Sequence, residues 1–249
     1  MSEEKEKLNG DAKLEAPLLK KLENFWYHYK WQFLAGVLAL IVLTVSLVQC
    51  VKNGKGDDAY AMYAGGYTFV SPTAMRDFET SLGYFAEDRN GDGRTVVGIG
   101  VYSIYTNEEI NEKYKDPSDR AQVKQFSHDN RESFDQEILS GEATLCFLSE
   151  VLFLELAEEG LLLALSEYHT PSAGEETVAY GNTAYGVRLS SLALATYPGL
   201  SELPADTILC VRANASMNSI FGGKAAEAMY KANLAMAKRL LAATPFSAE

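Results

Sequence analysis

The first long hydrophobic run sets the organisation of the chain. Phe33 to Val48 (FLAGVLALIVLTVSLV) contains no charged residue, and extending it to Trp31 and Val51 gives 21 residues. At about 1.5 Å per residue this is enough for one helix to cross a bilayer core. The residues expected within such a span are Phe33, Leu34, Val37, Leu38, Leu40, Ile41, Leu43 and Leu47. Aromatic residues Phe25, Trp26, Tyr27, Tyr29 and Trp31 stand at one end, where amphipathic rings favour the headgroup level. Lys13, Lys20, Lys21 and Lys30 precede the run, while Lys52 and Lys55 follow it, which places the N-terminus in the cytoplasm. Some 30 residues precede the run, too long for the leader of a cleaved signal peptide. Cys50 does not make a lipid anchor, because Gln49 is bulky where a lipobox needs a small residue. The expectation is an uncleaved signal anchor: cytoplasmic tail with a juxtamembrane helix over 1–30, span over 31–51, linker over 52–58, and an extracytoplasmic domain over 59–249.

Beyond the linker, strand-like and helix-like patterns alternate. Ala59–Tyr67 reads as a buried strand ending at a glycine pair, and Thr95–Tyr105 as a second, rich in β-branched and aromatic residues. Between them Ser71 caps a helix with Pro72 in its first turn and Met75, Phe78, Leu82 and Phe85 on one face. Residues 106–127 are polar, with a short helical turn over Asn107–Tyr114; Phe126, Phe134, Ile138 and Leu139 then mark a helix ending at Ser140-Gly141. Ala143–Leu148 is apolar throughout, as in a strand covered on both faces, and Ser149–Glu159 is helical. Val178–Leu189 holds a hairpin around Gly181-Asn182, and Asp206–Arg212 is the last strand. Phe221, Ala225, Met229, Ala232, Met236 and Leu240 line the final helix, with Glu227 and Lys231 as an i,i+4 pair and Ser219 as its cap. This alternation predicts an α/β fold with a mixed or mostly parallel sheet.

Charge narrows the partners. The net charge of −12 lies wholly beyond the hydrophobic run, since residues 1–51 carry six lysines and six acids while residues 52–249 carry 16 basic and 28 acidic residues. Such a surface repels phosphate backbones and argues against nucleic acid. Three cysteines cannot frame a disulfide scaffold. Cys146 and Cys210 fall on predicted central strands, where a free thiol packs as a small apolar group; pairing needs the two strands to be neighbours.

Candidate chemistry is sparse. Asp88-Arg89-Asn90-Gly91-Asp92-Gly93-Arg94 matches the first half of a calcium loop, with oxygen side chains at positions 1, 3 and 5 and a glycine at 6. Asp88, Asn90, Asp92 and the Arg94 backbone carbonyl would ligate the ion, but position 12 is Ile99 rather than Glu, so this is not an EF-hand. The competing reading is an ordinary turn, which Asn-Gly and Asp-Gly form without metal. His28, His128 (at a helix start) and His169 (in a loop) have no partner at ligand spacing, and the chain has no G-x-S-x-G, P-loop, G-x-G-x-x-G, H-E-x-x-H or C-x-x-C. The acid pairs Glu108-Glu109, Glu158-Glu159 and Glu175-Glu176 read as solvated. Catalytic residues are not expected, and calcium is the one candidate cofactor. Tyr60, Tyr63, Tyr102 and Tyr105 are the candidates for lining a ligand pocket, against the plainer reading of core aromatics.

Phe134–Leu165 (FDQEILSGEATLCFLSEVLFLELAEEGLLLAL) resembles the stretch of extracellular solute-binding proteins in which a helix, a buried strand and a second helix end at a Gly-Leu-Leu turn. Tyr185-Gly186-Val187-Arg188-Leu189 is similar to a later strand of such folds. With Phe25–Trp31 before the span and Asp88–Gly93 before a strand, the chain looks like membrane-anchored proteins of clostridial-type Gram-positive bacteria that carry a solute-binding-protein-like domain. The resemblance implies a periplasmic-binding-protein-like domain on a stalk; solute-binding proteins have two lobes, and about 190 residues here allow one lobe or a reduced pair. The expected function is that of a non-enzymatic single-pass membrane protein binding a small ligand or protein partner, as accessory to a membrane complex. The alternative is an envelope or adhesion module with a calcium-stabilised loop.

Overall fold

A computed structural model describes residues 26–27, 29–31, 34–38, 40–41, 43–44, 57–69, 71–140, 143–214 and 223–247. The chain forms two compact units, Met1–Gly56 and Asp57–Glu249. In the first, the described residues are helical, and Leu34, Val37, Leu38, Leu40, Ile41 and Leu43 are 38–69% exposed. Among the described residues no helix is long and apolar enough to cross a membrane. Phe33 and Leu47, both expected in the span, and residues 45–51 lie outside the described residues.

The second unit is a three-layer α/β structure. Strands β1 (Ala59–Gly65), β2 (Val97–Ser103), β3 (Leu145–Leu148), β4 (Thr177–Tyr180), β5 (Thr183–Arg188) and β6 (Ile208–Val211) make one mixed sheet in the order β2-β1-β3-β6-β5-β4. β1 runs parallel to both β2 and β3, and the β3–β6, β6–β5 and β5–β4 pairs are antiparallel. Helices α1 (Pro72–Gly83), α2 (Asn107–Lys113), α3 (Pro117–Ser140), α4 (Glu150–Glu158) and α5 (Gly223–Leu241) complete it.

Strand alternation divides the core between two faces. Ala61 and Tyr63 of β1, Leu145 and Phe147 of β3, and Leu209 and Val211 of β6 pack with Phe78 and Leu82 of α1 and Met236 and Leu240 of α5. Their neighbours Met62, Ala64, Cys146, Leu148, Ile208 and Cys210 pack with Phe134 and Ile138 of α3 and Leu152, Phe153 and Leu156 of α4. Both faces of β3 are therefore covered, which is why its sequence is an unbroken apolar run.

Local signals act as their chemistry dictates. Ser71 Oγ accepts the Ala74 amide at 3.0 Å and starts α1. Tyr180 pairs with Thr183 across a two-residue turn, with Gly181 at φ +60° in the first central position, the hairpin arrangement expected for that sequence. α3 differs most from expectation. It begins at Pro117 within the polar stretch, and its buried residues are Ser127, Phe134 and Ile138, while Phe126 and Leu139 are exposed. His128 consequently lies inside α3 rather than at a helix start, on the solvent side beside Glu132 at 3.4 Å. On α5, Met236 and Leu240 are buried as the periodicity predicts, but so is Asn233, fully. Phe221 and the Ser219 cap lie outside the described residues.

Candidate functional site

The two ends of β1 carry the polar structure of this unit, and they are built differently. At its amino end Asp58, 1% exposed, accepts three backbone amides: those of Arg89 (2.8 Å) and Asn90 (3.1 Å) on Oδ1, and that of Val96 (2.9 Å) on Oδ2. These bonds clamp the Asp88 loop to the sheet. Within the loop, Asp88 accepts the Asp92 amide at 3.1 Å and the Gly93 amide at 2.7 Å, Asn90 accepts the Asp92 amide at 3.0 Å, and Asp92 accepts the Arg94 amide at 3.0 Å. Gly91 and Gly93 take φ of +68° and +80°, which supplies the reversal. The side chains expected to ligate calcium are thus gathered in one loop and engaged with its own backbone amides. Among the described residues no group of three or more His, Cys, Asp or Glu is placed to hold a metal ion. Asp57 lies beside this clamp, and burial, then the Asp58 charge, pushes its carboxyl up.

The carboxyl end of β1 is a topological switch point. β1 leads through α1 on one face to β2, whereas β2 leads through α3 on the other face to β3, on the opposite side of β1. The chain leaves β1 and β3 toward opposite faces of the sheet, the arrangement at which open α/β sheets place their binding crevices. Gly65 and Gly66 end β1 there. A Cβ on Gly65 would lie 2.8 Å from the Tyr63 hydroxyl, and one on Gly66 would strike the Glu109 carboxylate. Glu109 is held in place because it belongs to a capping box: its Oε2 accepts the Thr106 amide at 2.7 Å and its own amide donates to Thr106 Oγ1 at 3.2 Å. Lys113, at the end of the same helix, donates to the Gly66 carbonyl at 3.0 Å and lies 4.9 Å over the Tyr105 ring.

Hydroxyl groups line this edge. Thr68 Oγ1 donates to Ser103 Oγ at 2.7 Å and meets the Tyr105 hydroxyl at 2.9 Å; Ser103 Oγ donates to the Tyr67 carbonyl at 3.0 Å. Ser149 stands at the N-cap of α4, its amide donating to the Ala64 carbonyl at 2.9 Å, but its hydroxyl makes no cap bond. Tyr63 is held neutral, since burial, and after it the nearby carboxylates of Asp206 and Glu109, push its phenol far above the usual range. Further along, Arg188 pairs with Glu176 at 2.7 Å and Glu150 at 3.2 Å. An edge of hydroxyls, main-chain groups, one carboxylate and one ammonium suits hydrogen bonding to a small polar ligand. Among the described residues, it joins no nucleophile to a base.

The four tyrosines do not converge on one pocket. Tyr60 and Tyr102 pack against the α3 face, Tyr102 with Phe134 at a 6.0 Å ring separation; Tyr63 is buried in the opposite cluster. Only Tyr63 and Tyr105 approach the carboxyl edge. His169 meets Glu175 at 2.6 Å, both nearly buried, so that acid is not solvated; Glu176 is taken by Arg188. His28 lies outside the described residues. Two clefts, of about 360 Å³ beside Glu175 and Ser191 and about 630 Å³ beside Tyr84, Tyr197 and Phe246, lie away from the switch point. Sequence reading missed Thr68, Ser103, Glu109, Lys113 and Ser149. The Thr106-x-x-Glu109 capping-box pattern was the one available signal, and it reported a helix start rather than a site.

Comparison with family models, with curated proteins and with solved structures finds no match.

Proposed function

We propose that the chain is a non-enzymatic single-pass membrane protein, with a cytoplasmic N-terminus and an extracytoplasmic α/β domain of solute-binding-protein-like architecture. The domain binds a small polar ligand or an exposed polar segment of a protein partner at the carboxyl edge of β1 and β3, as accessory to a membrane complex. The observation that carries this reading is the switch point, where the hydroxyls of Thr68, Ser103, Tyr105 and Ser149 gather around the Gly65-Gly66 backbone. The uncharged run Phe33–Val48 and the aromatic residues before it support the anchor.

The test is thermal unfolding of the full chain in lipid nanodiscs against sugars, amino acids and short peptides. A ligand at 100 times its Kd adds about 2.7 kcal/mol of stability, and that shift should disappear in Thr68→Val with Ser149→Ala. A shift unaffected by these changes places binding elsewhere; resistance of the chain to extraction from membranes at alkaline pH tests the anchor separately. A second reading, an envelope or adhesion module stiffened by calcium at Asp88, Asn90, Asp92 and the Arg94 carbonyl, is favoured by the alternating oxygens of that loop. It predicts a calcium-dependent rise in Tm that Asp88→Ala abolishes.

A further inference from the structure

Cys146 and Cys210 are far apart in sequence, with 63 residues between them, yet they are register partners on the antiparallel strands β3 and β6. Both side chains point into the same core cluster, both are fully buried, and both are free thiols. The Arg212 amide donates to the Thr144 carbonyl at 2.8 Å, so Thr144 and Arg212 form a hydrogen-bonded pair. Antiparallel ladders alternate with period two, which makes Cys146 and Cys210 a hydrogen-bonded pair as well, with Cα atoms about 5.5 Å apart. A disulfide needs about 4.4–6.8 Å. The two thiols interact electrostatically with one another, and the Cys146 Sγ lies 3.6 Å from the Thr144 carbonyl. Any small apolar residue would fill either position, but only cysteine at both places sulfur against sulfur.

We propose that Cys146 and Cys210 are a disulfide-forming pair that, once oxidised, staples β3 to β6 at the centre of the sheet. Each thiol gives up its hydrogen and one S–S bond forms between them. The two protons and two electrons pass to a disulfide oxidant such as glutathione disulfide, whose own S–S bond breaks to give two thiols. The exchange runs through a thiolate, and burial pushes the Cys210 thiol well up, so the folded sheet resists it. Oxidation therefore precedes the closure that buries both thiols. After closure the bond is protected from reductants by the same burial.

The experiment is cell-free synthesis of the full chain into nanodiscs, in reduced glutathione alone or with glutathione disulfide, followed by alkylation of free thiols and peptide mass mapping. The expected product of the oxidising arm is a peptide linking Cys146 to Cys210, in a chain two hydrogens lighter. Its Tm should be higher by roughly 10 °C, as expected for closing a loop of this length in a domain of this size. The link should persist in Cys50→Ser, and the Tm gain should vanish in Cys146→Ala. Recovery of Cys146 and Cys210 as alkylated thiols, as separate glutathione adducts or linked to Cys50 overturns the pairing. A link with no gain in Tm overturns the staple.

Discussion

β1 is seven residues long, and its two ends use polar groups in opposite ways. At the amino end, carboxylates are consumed by backbone amides: Asp58 alone satisfies three, from residues 31 to 38 positions later. At the carboxyl end, hydroxyls bond mainly to one another or to single carbonyls, and the strand ends in two residues without side chains. A buried carboxylate is stable only if its lone pairs are occupied, so the amino end is rigid by necessity. Hydroxyls are donors and acceptors at once and can exchange partners at low cost, so the carboxyl end is not locked in the same way.

This contrast can be broken most severely at Asp58. Asp58→Ala strands three amides at the base of the sheet and should destabilise the domain by about 3–5 kcal/mol in denaturant unfolding; a loss under 1 kcal/mol would remove the clamp from the account. At the other end, Gly66→Ala drives a Cβ into the Glu109 carboxylate and breaks into its capping box. The expected loss is about 1–2 kcal/mol, and the same substitution in a Glu109→Ala background should be milder, since the clash is then gone. Asp88→Ala removes acceptors from the Asp92 and Gly93 amides at an exposed loop and should cost about 1 kcal/mol.

The smallest effect is expected from Asp57→Asn, and it carries a sign. The Asp57 carboxyl is raised in the folded protein by burial and then by Asp58, so folding disfavours its ionised form. That penalty is absent below the unfolded pKa, where both states hold the proton, and complete above the folded pKa. Asp57→Asn should therefore raise the denaturation midpoint slightly at about pH 7 and leave it unchanged at about pH 3. An equal gain at both values would assign the effect to packing instead.

Legibility followed the range of the interactions. β1 and β3 were readable because burial on both faces writes itself into consecutive apolar residues, β2 through its β-branched and aromatic run, and the β4–β5 hairpin through its Gly181-Asn182 turn, since β4 itself is largely exposed. The first half of α3 was not, since Pro117–Gln125 has no buried side chain and so no periodic stripe to detect. Asn233 was missed for the opposite reason. It lies fully buried on a helix face read as apolar, because its Oδ1 accepts the Tyr60 amide at 2.8 Å just before β3 begins to pair with β1. The Asp88 loop was found as a motif, but Asp58, which holds it, read as the end of a linker.

What the chain determined by itself is local: the Ser71 cap, the Thr106–Glu109 capping box, the Gly181 turn and the type of nearly every element. Each depends on groups within a few residues of one another, so the chemistry is complete in a short window. Only the tertiary structure decided the strand order, and with it the switch point, the reach of Asp58 across to Val96, and the meeting of Cys146 with Cys210. Hydrophobic period records which face of a strand is covered; it carries no record of which strand lies beside it.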